Sequence, residues 1–227
     1  MTDEKIQELF GQVPYFADTK IEAMPRELSP FKIYESWNSN GSVHIQRICG
    51  TGHPDYIGLT WRELLSKGRR MPTNLKLFRQ NPDYYLSLGQ KTRPSMHIHF
   101  YNGKGYVGED GNHRTCIARF FLYGKDSPFL HGVRLSEMQT DIRMDTLFSE
   151  IKSLLPVWCI ASPVSREVSR EDGDGWAVHR YENSISLKNT RRNKVREFLA
   201  DEAEQVLLPL LHHPFRRFLK LYREILA

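Results

Sequence analysis

The chain has 227 residues, 40% of them hydrophobic, with 12 Phe, 10 Tyr and 4 Trp, and carries 32 Lys and Arg against 27 Asp and Glu for a net charge of +5. That length and apolar content suit a folded protein with one main domain and an elaboration, and they exclude a disordered chain. Cys49, Cys116 and Cys159 form no CxxC pair and no zinc-type spacing, which excludes a disulfide framework and a structural zinc site and fits a reducing cytoplasm. The start, MTDEKIQELFGQ, has no apolar core of a signal peptide, and no run approaches the roughly 18 apolar residues that would span a bilayer, so neither export nor membrane insertion is expected.

In chain order, Ile6, Leu9 and Phe10 fall at helical spacing, followed by an arm punctuated by Pro14, Pro25 and Pro30. FKIYESW and SVHIQRIC read as two strands joined by a hairpin at Asn40-Gly41, because that pair supplies the positive-φ positions of a tight turn. LTWRELLSKG predicts a helix with a capping box, Thr60 and Glu63, and a stop at Gly68. PTNLKLFRQNPDYYLSLG reads as one helix or two short ones broken near Pro82. Met96, Ile98 and Phe100 alternate along a strand, with His97 and His99 on its other face, and Asn102-Gly103 turns it into a second strand. After Arg114 the period becomes helical through Cys116, Ile117, Phe120 and Phe121, with Gly124 closing the element. LHGVRLSEM predicts a strand, DTLFSEIKSLL a helix, PVWCIASPV and GWAVHRYEN two strands around a loop SREVSREDGDG, and residues 191–226 a long amphipathic helical region interrupted at Pro209 and Pro214. The expected organisation is an N-terminal arm and first strand over 1–42, a main domain over 43–140 and a C-terminal elaboration over 141–227.

The chemistry concentrates at YVGEDGNHRTC, a strand-to-helix junction. The first turn of a helix leaves backbone N–H groups without intrahelical acceptors, and the aligned peptide dipoles make that end electropositive. Gly111 admits close approach of an anion to the backbone, and His113 and Arg114 add donors suited to phosphate. Basic side chains at a helix start oppose the dipole, a local conflict that an anionic ligand resolves. The alternative is that Asp110 or Asn112 caps the helix and the two basic residues are solvated.

The motif Asp110-Gly111-Asn112-His113-Arg114 resembles the Gly-X-His-Arg turn of the ParB/sulfiredoxin superfamily. The order helix, strand, strand, turn, helix, strand over roughly residues 43–138 is similar to that of its members. The resemblance implies an α+β fold with a mixed sheet, flanking helices and an α/β C-terminal elaboration ending in helix. It implies that His113 and Arg114, with Gly111, Asn112 and Thr115, contact the phosphates of ATP or another nucleoside triphosphate. It further implies that Asp110, with Glu109, approaches Mg²⁺, and that polar groups of the preceding helix, here Asn74, Lys76 and Arg79, add nucleotide contacts. Sulfiredoxin has cysteine where this chain has Asn112, and an amide cannot attack a sulfinic acid derivative, so the reductase reading is set aside.

The chain resembles instead the stand-alone members described as nucleoside triphosphatases and nucleases, among them the fertility-inhibition proteins of conjugative plasmids. The expected activity is Mg²⁺-dependent nucleoside triphosphate hydrolysis with DNA cleavage or processing, in which Asp110 or Glu63 orients water and His113 and Arg114 stabilise developing charge. DNA and a component of the DNA-transfer machinery are the expected partners. Two basic clusters, Arg69-Arg70 and Arg191, Arg192, Lys194 and Arg196, either touch a phosphate backbone or form solvated faces. The competing function is a nucleotide-responsive DNA- or protein-binding inhibitor without chemistry. Phosphotransfer from a nucleotide to a small molecule is allowed by the same site.

Overall fold

The computed structural model describes residues 1–91, 95–108 and 110–213, together with Lys220 and Arg223. Glu109 and, in the expected amphipathic helical region over 191–226, Phe215, Phe218, Leu219 and Tyr222 lie outside the described residues. The fold is mixed α+β, and the chain divides into two compact units, one made of residues 1–26, 36–138 and 172–177 and the other of 27–35, 139–171 and 178–227.

The first unit carries the junction. Helix α1 (Asp3–Phe10) buries Ile6 and Phe10 and stops at Gly11 in the left-handed region, φ 86°. Strand β1 (Glu22–Ala23) pairs parallel with β3 (Ile48–Thr51), and β3 pairs parallel with β5 (Lys104–Val107). Strand β4 (His97–Tyr101) runs antiparallel to β5 and parallel to β6 (Phe129–Thr140), and β2 (Lys32–His44) follows β6, which makes a mixed sheet. The β4–β5 turn has both Asn102 (φ 48°) and Gly103 (φ 83°) in the left-handed region, the geometry that the Asn-Gly pair predicts.

Three helices, α2 (Trp61–Lys67), α3 (Met71–Gln80) and α4 (Asn112–Leu122), flank this sheet. The capping box that starts α2 is present as expected: Thr60 Oγ1 accepts the Glu63 N–H at 3.1 Å and Glu63 Oε2 accepts the Thr60 N–H at 2.9 Å. The buried faces of the helices meet Ile98, Phe100 and Val107 of the sheet in one hydrophobic cluster. Phe120 of α4 sits at its centre, with its ring 5.5 Å from that of Phe16 and 5.7 Å from that of Phe10. Full burial of such a ring stabilises the fold by about 1.5–3 kcal/mol, so α4 is anchored in the core, and in its first turn only His113 and Arg114 are partly exposed.

In the second unit, Asp141 caps α5 (Ile142–Leu154) by accepting the Met144 N–H at 2.9 Å. Strand β8 (Trp176–Asn189) pairs antiparallel with β9 (Lys194–Leu199), and a helical run over 200–212 follows. Met144, Ile151, Ile185, Leu187, Phe198 and Leu207 belong to a separate core.

Three local expectations are overturned. Asn40-Gly41 is not a hairpin but lies inside the continuous strand β2, where a side chain at Gly41 would run into Leu135, so this glycine serves packing and not a turn. SREVSREDGDG is no loop, because β7 (Cys159–Gly173) runs through it and the chain turns only at Asp174-Gly175, with Gly175 at φ 80°. The basic residues from 191 open no helix. Asn193 (φ 53°) makes a turn, and Lys194 and Arg196 lie on β9, where Phe198 is buried while Val195 and Leu199 are 58% and 52% exposed. The spacing of Val195, Phe198 and Leu199 imitates a helix, but only one of the three is apolar core. Helix begins at Ala200, and a π turn over Ala203–Leu207 precedes Pro209, whose missing N–H and ring disfavour a regular α-helical turn at that point. Among the described residues no helix is long and apolar enough to cross a membrane.

Candidate functional site

The start of α4 is fixed from beneath. Gly111 is the N-cap at φ 102°, a conformation that a side chain disfavours, and it offers the helix no side-chain cap. Asn112 folds back into the protein instead, 5% exposed. Its Oδ1 accepts the Thr51 hydroxyl at 2.6 Å and its Nδ2 donates to the Gly108 carbonyl at 3.1 Å. It ties the ends of β3 and β5 to the helix, so the residue that departs from the sulfiredoxin pattern acts as a brace. Thr115, also assigned to the nucleotide by resemblance, is fully buried, and its hydroxyl has no hydrogen-bond partner among the described residues.

Above the helix start lies a cavity of about 210 Å³. His113 forms part of its wall, and the preceding helices bring the rest. Helix α2 ends at Gly68, which packs against the His113 ring so closely that a side chain there would strike the imidazole. The two residues before α3 are therefore delivered to the cavity, and both Arg69 and Arg70 line it. The Arg70 N–H donates to His113 Nε2 at 3.4 Å, and the Tyr56 hydroxyl lies 3.3 Å from the same nitrogen. Tyr56 ends the short turn Pro54–Tyr56, which His53 caps by accepting the Asp55 N–H on Nδ1 at 3.3 Å. The His53 ring stacks on Tyr56 with centroids 4.5 Å apart, and His113 meets the same ring edge-on at 5.3 Å.

Burial first, and then the Arg70 guanidinium, hold the His113 imidazole below its ordinary range, so it is neutral at pH 7. Burial, reinforced by Asp55, pushes the Tyr56 phenol up. The positive charge in the cavity comes from Arg69 and Arg70, and the carboxylates of Asp55 and Asp110 line the same cavity. Those two carboxylates are hard oxygen donors of the kind that Mg²⁺ takes together with substrate phosphates, so the donor set suits the ion that the resemblance implies, although no group of three or more metal-binding side chains converges among the described residues.

His113 and Arg114 are neighbours in sequence but enter different cavities, because successive positions on a helix point about 100° apart. Arg114 Nη2 donates to the Ser95 carbonyl at 3.0 Å and Nη1 to the Tyr84 hydroxyl at 3.3 Å. It lines a second cavity of about 320 Å³ with Asn74, Asn81 and Tyr84. Of the other expected residues, Lys76 and Arg79 are exposed and line neither cavity, and Glu63 is held in its capping box and by Lys67 at 2.9 Å. Arg191, Arg192 and Lys194 are exposed in the second unit, where Arg196 pairs with Glu202. His97 and His99 stand apart on β4 with their rings 3.9 Å apart, and His97 Nε2 lies 2.7 Å from the Ser136 hydroxyl.

His53, Asp55 and Tyr56 join the site without having been anticipated. The signal available was GHPDY, where a proline turn followed by an aromatic residue reads as a loop until its spatial neighbour is known. Family models, curated proteins and solved structures gave no match to this chain.

Proposed function

We propose that the chain is a ParB/sulfiredoxin-like nucleotide-binding protein that hydrolyses a nucleoside triphosphate at the α4 start and acts on DNA or on the DNA-transfer machinery. The observation that carries the reading is the meeting of Arg69, Arg70 and His113 over a glycine-started helix in one polar cavity. Two guanidinium forks, a helix N-terminus and a histidine form a site for several negative phosphoryl oxygens at once. The neighbouring cavity adds the Tyr84 ring and the amides of Asn74 and Asn81, groups that stack on and hydrogen-bond a nucleobase. Asp55 and Asp110 would hold Mg²⁺, which when bound neutralises phosphate charge. The chain's own part is to orient the phosphates with Arg69 and Arg70 and to place His113 beside them.

Replacing Arg69 and Arg70 together by Ala is expected to weaken binding of ATP with Mg²⁺ on the order of 100-fold, as two charge-assisted contacts of about 1.5 kcal/mol each. Equilibrium dialysis measures it. Unchanged affinity in the folded double variant would remove the cavity as the phosphate site. Tight binding without turnover in the wild type would favour the nucleotide-responsive inhibitor over the enzyme.

A further inference from the structure

We propose that Tyr56 is the nucleophile at this site, accepting a phosphoryl group on its phenolic oxygen while His113 takes its proton. The inference rests on the nucleotide reading and goes beyond it, because hydrolysis of a triphosphate needs no covalent intermediate.

The hydrogen bonds set the direction of the proton. Because the Arg70 N–H donates to His113 Nε2, that nitrogen carries the lone pair, and the Tyr56 hydroxyl 3.3 Å away is the donor to it. A hydroxyl hydrogen-bonded to a neighbouring base is the contact by which covalent catalysis activates such a nucleophile. Separations of 3.3–3.4 Å are long, as such contacts are before substrate binds.

The other wall is complementary. His53 Nδ1 is occupied by the Asp55 N–H, so the neutral ring bears its proton on Nε2 and is a donor there. Its stacking on Tyr56 fixes the phenol ring. Arg69 and Arg70 line the same cavity and are placed to stabilise charge on the transferring group.

In the first step the Tyr56 oxygen bonds to the γ-phosphorus, the bond from that phosphorus to the bridging oxygen breaks, and the nucleoside diphosphate leaves with the electron pair. The hydroxyl proton passes to His113 Nε2. In the second step water attacks phosphotyrosine, dihydrogen phosphate is released, and the departing phenolate recovers the proton from His113. Nothing is oxidised or reduced.

The experiment mixes the full chain and Mg²⁺ with each of ATP, GTP, CTP and UTP carrying ³²P at the γ position, quenches in acid, and maps any label by tandem mass spectrometry. The inference predicts label on Tyr56 in the wild type, and in Tyr56→Phe no label with hydrolysis reduced about 100-fold or more. A thermal melt confirms that the Phe variant, which keeps the ring in the core, is folded. Hydrolysis by the wild type without label, with Tyr56→Phe equally fast, overturns Tyr56 as nucleophile and leaves the nucleotide reading intact. Absence of both hydrolysis and label with all four nucleotides overturns both.

Discussion

The double variant His113→Ala, Arg114→Ala is expected to lose about 1,000-fold in nucleoside triphosphate hydrolysis, the range in which removal of preorganised charge-stabilising donors falls. The two residues contribute differently. His113 sits under Gly68 and binds the Arg70 N–H and the Tyr56 hydroxyl, so its loss frees the loop that carries Arg69 and Arg70. Arg114 braces Ser95 and Tyr84 beside the second cavity, so its loss loosens the wall assigned to the nucleoside. Separate Ala variants should therefore split: the His113 change acts chiefly on kcat, and the Arg114 change chiefly on KM. Plasmid nicking measured on the same proteins tests whether DNA processing shares the site. Unchanged rates in the folded double variant would dismiss the enzyme.

A second large effect is expected away from the site. Arg119 of α4 is 3% exposed, its guanidinium lies 4.0 Å from the ring centres of both Phe16 and Trp61, and its Nε and Nη1 have no hydrogen-bond partner among the described residues. Two cation–π contacts of about 2 kcal/mol each offset part of a desolvation cost of several kcal/mol. Burial brings the guanidinium down to about 10, below its ordinary range. A cation whose folded value lies below its unfolded value destabilises the fold fully at pH 7, where both states are charged. That penalty fades only as pH rises above about 10, towards the ordinary range of a free guanidinium. Arg119→Met, which fills the slot without the charge, is expected to stabilise by about 1–3 kcal/mol. Arg119→Ala empties the space between the two rings and is expected to destabilise by about 2–4 kcal/mol. Urea unfolding at pH 7 measures both. A destabilised Met variant would mean that the rings bind the charge more strongly than burial penalises it.

The parts of this molecule that were legible in its sequence are those governed by near neighbours. The capping box at Thr60, the Asn102-Gly103 turn and the change of period after Arg114 each depend on a few adjacent residues, and each stands in the structure. Where a partner is remote, the local pattern misleads. Gly41 looked like half of a turn because Leu135, which excludes a side chain there, lies far along the chain. Val195, Phe198 and Leu199 looked like a helical stripe because spacing alone does not reveal that two of them face solvent. The site divides in the same way. The junction from Asp110 to Arg114 was visible as a dense polar cluster at a change of period. Arg69 and Arg70 were visible only as a basic pair, and their place beside His113 follows from how α2 stops at Gly68. Tyr56 and His53 carried no mark, since their chemistry arises from a contact across 57 positions of sequence.

The most direct test of the central claim is a crystal structure with a non-hydrolysable nucleoside triphosphate and Mg²⁺. The phosphates should lie against the backbone at Gly111 to His113, between Arg69 and Arg70, with the γ-phosphorus facing the Tyr56 hydroxyl. Phosphates bound anywhere else on the chain, or an empty cavity at saturating nucleotide, would contradict it.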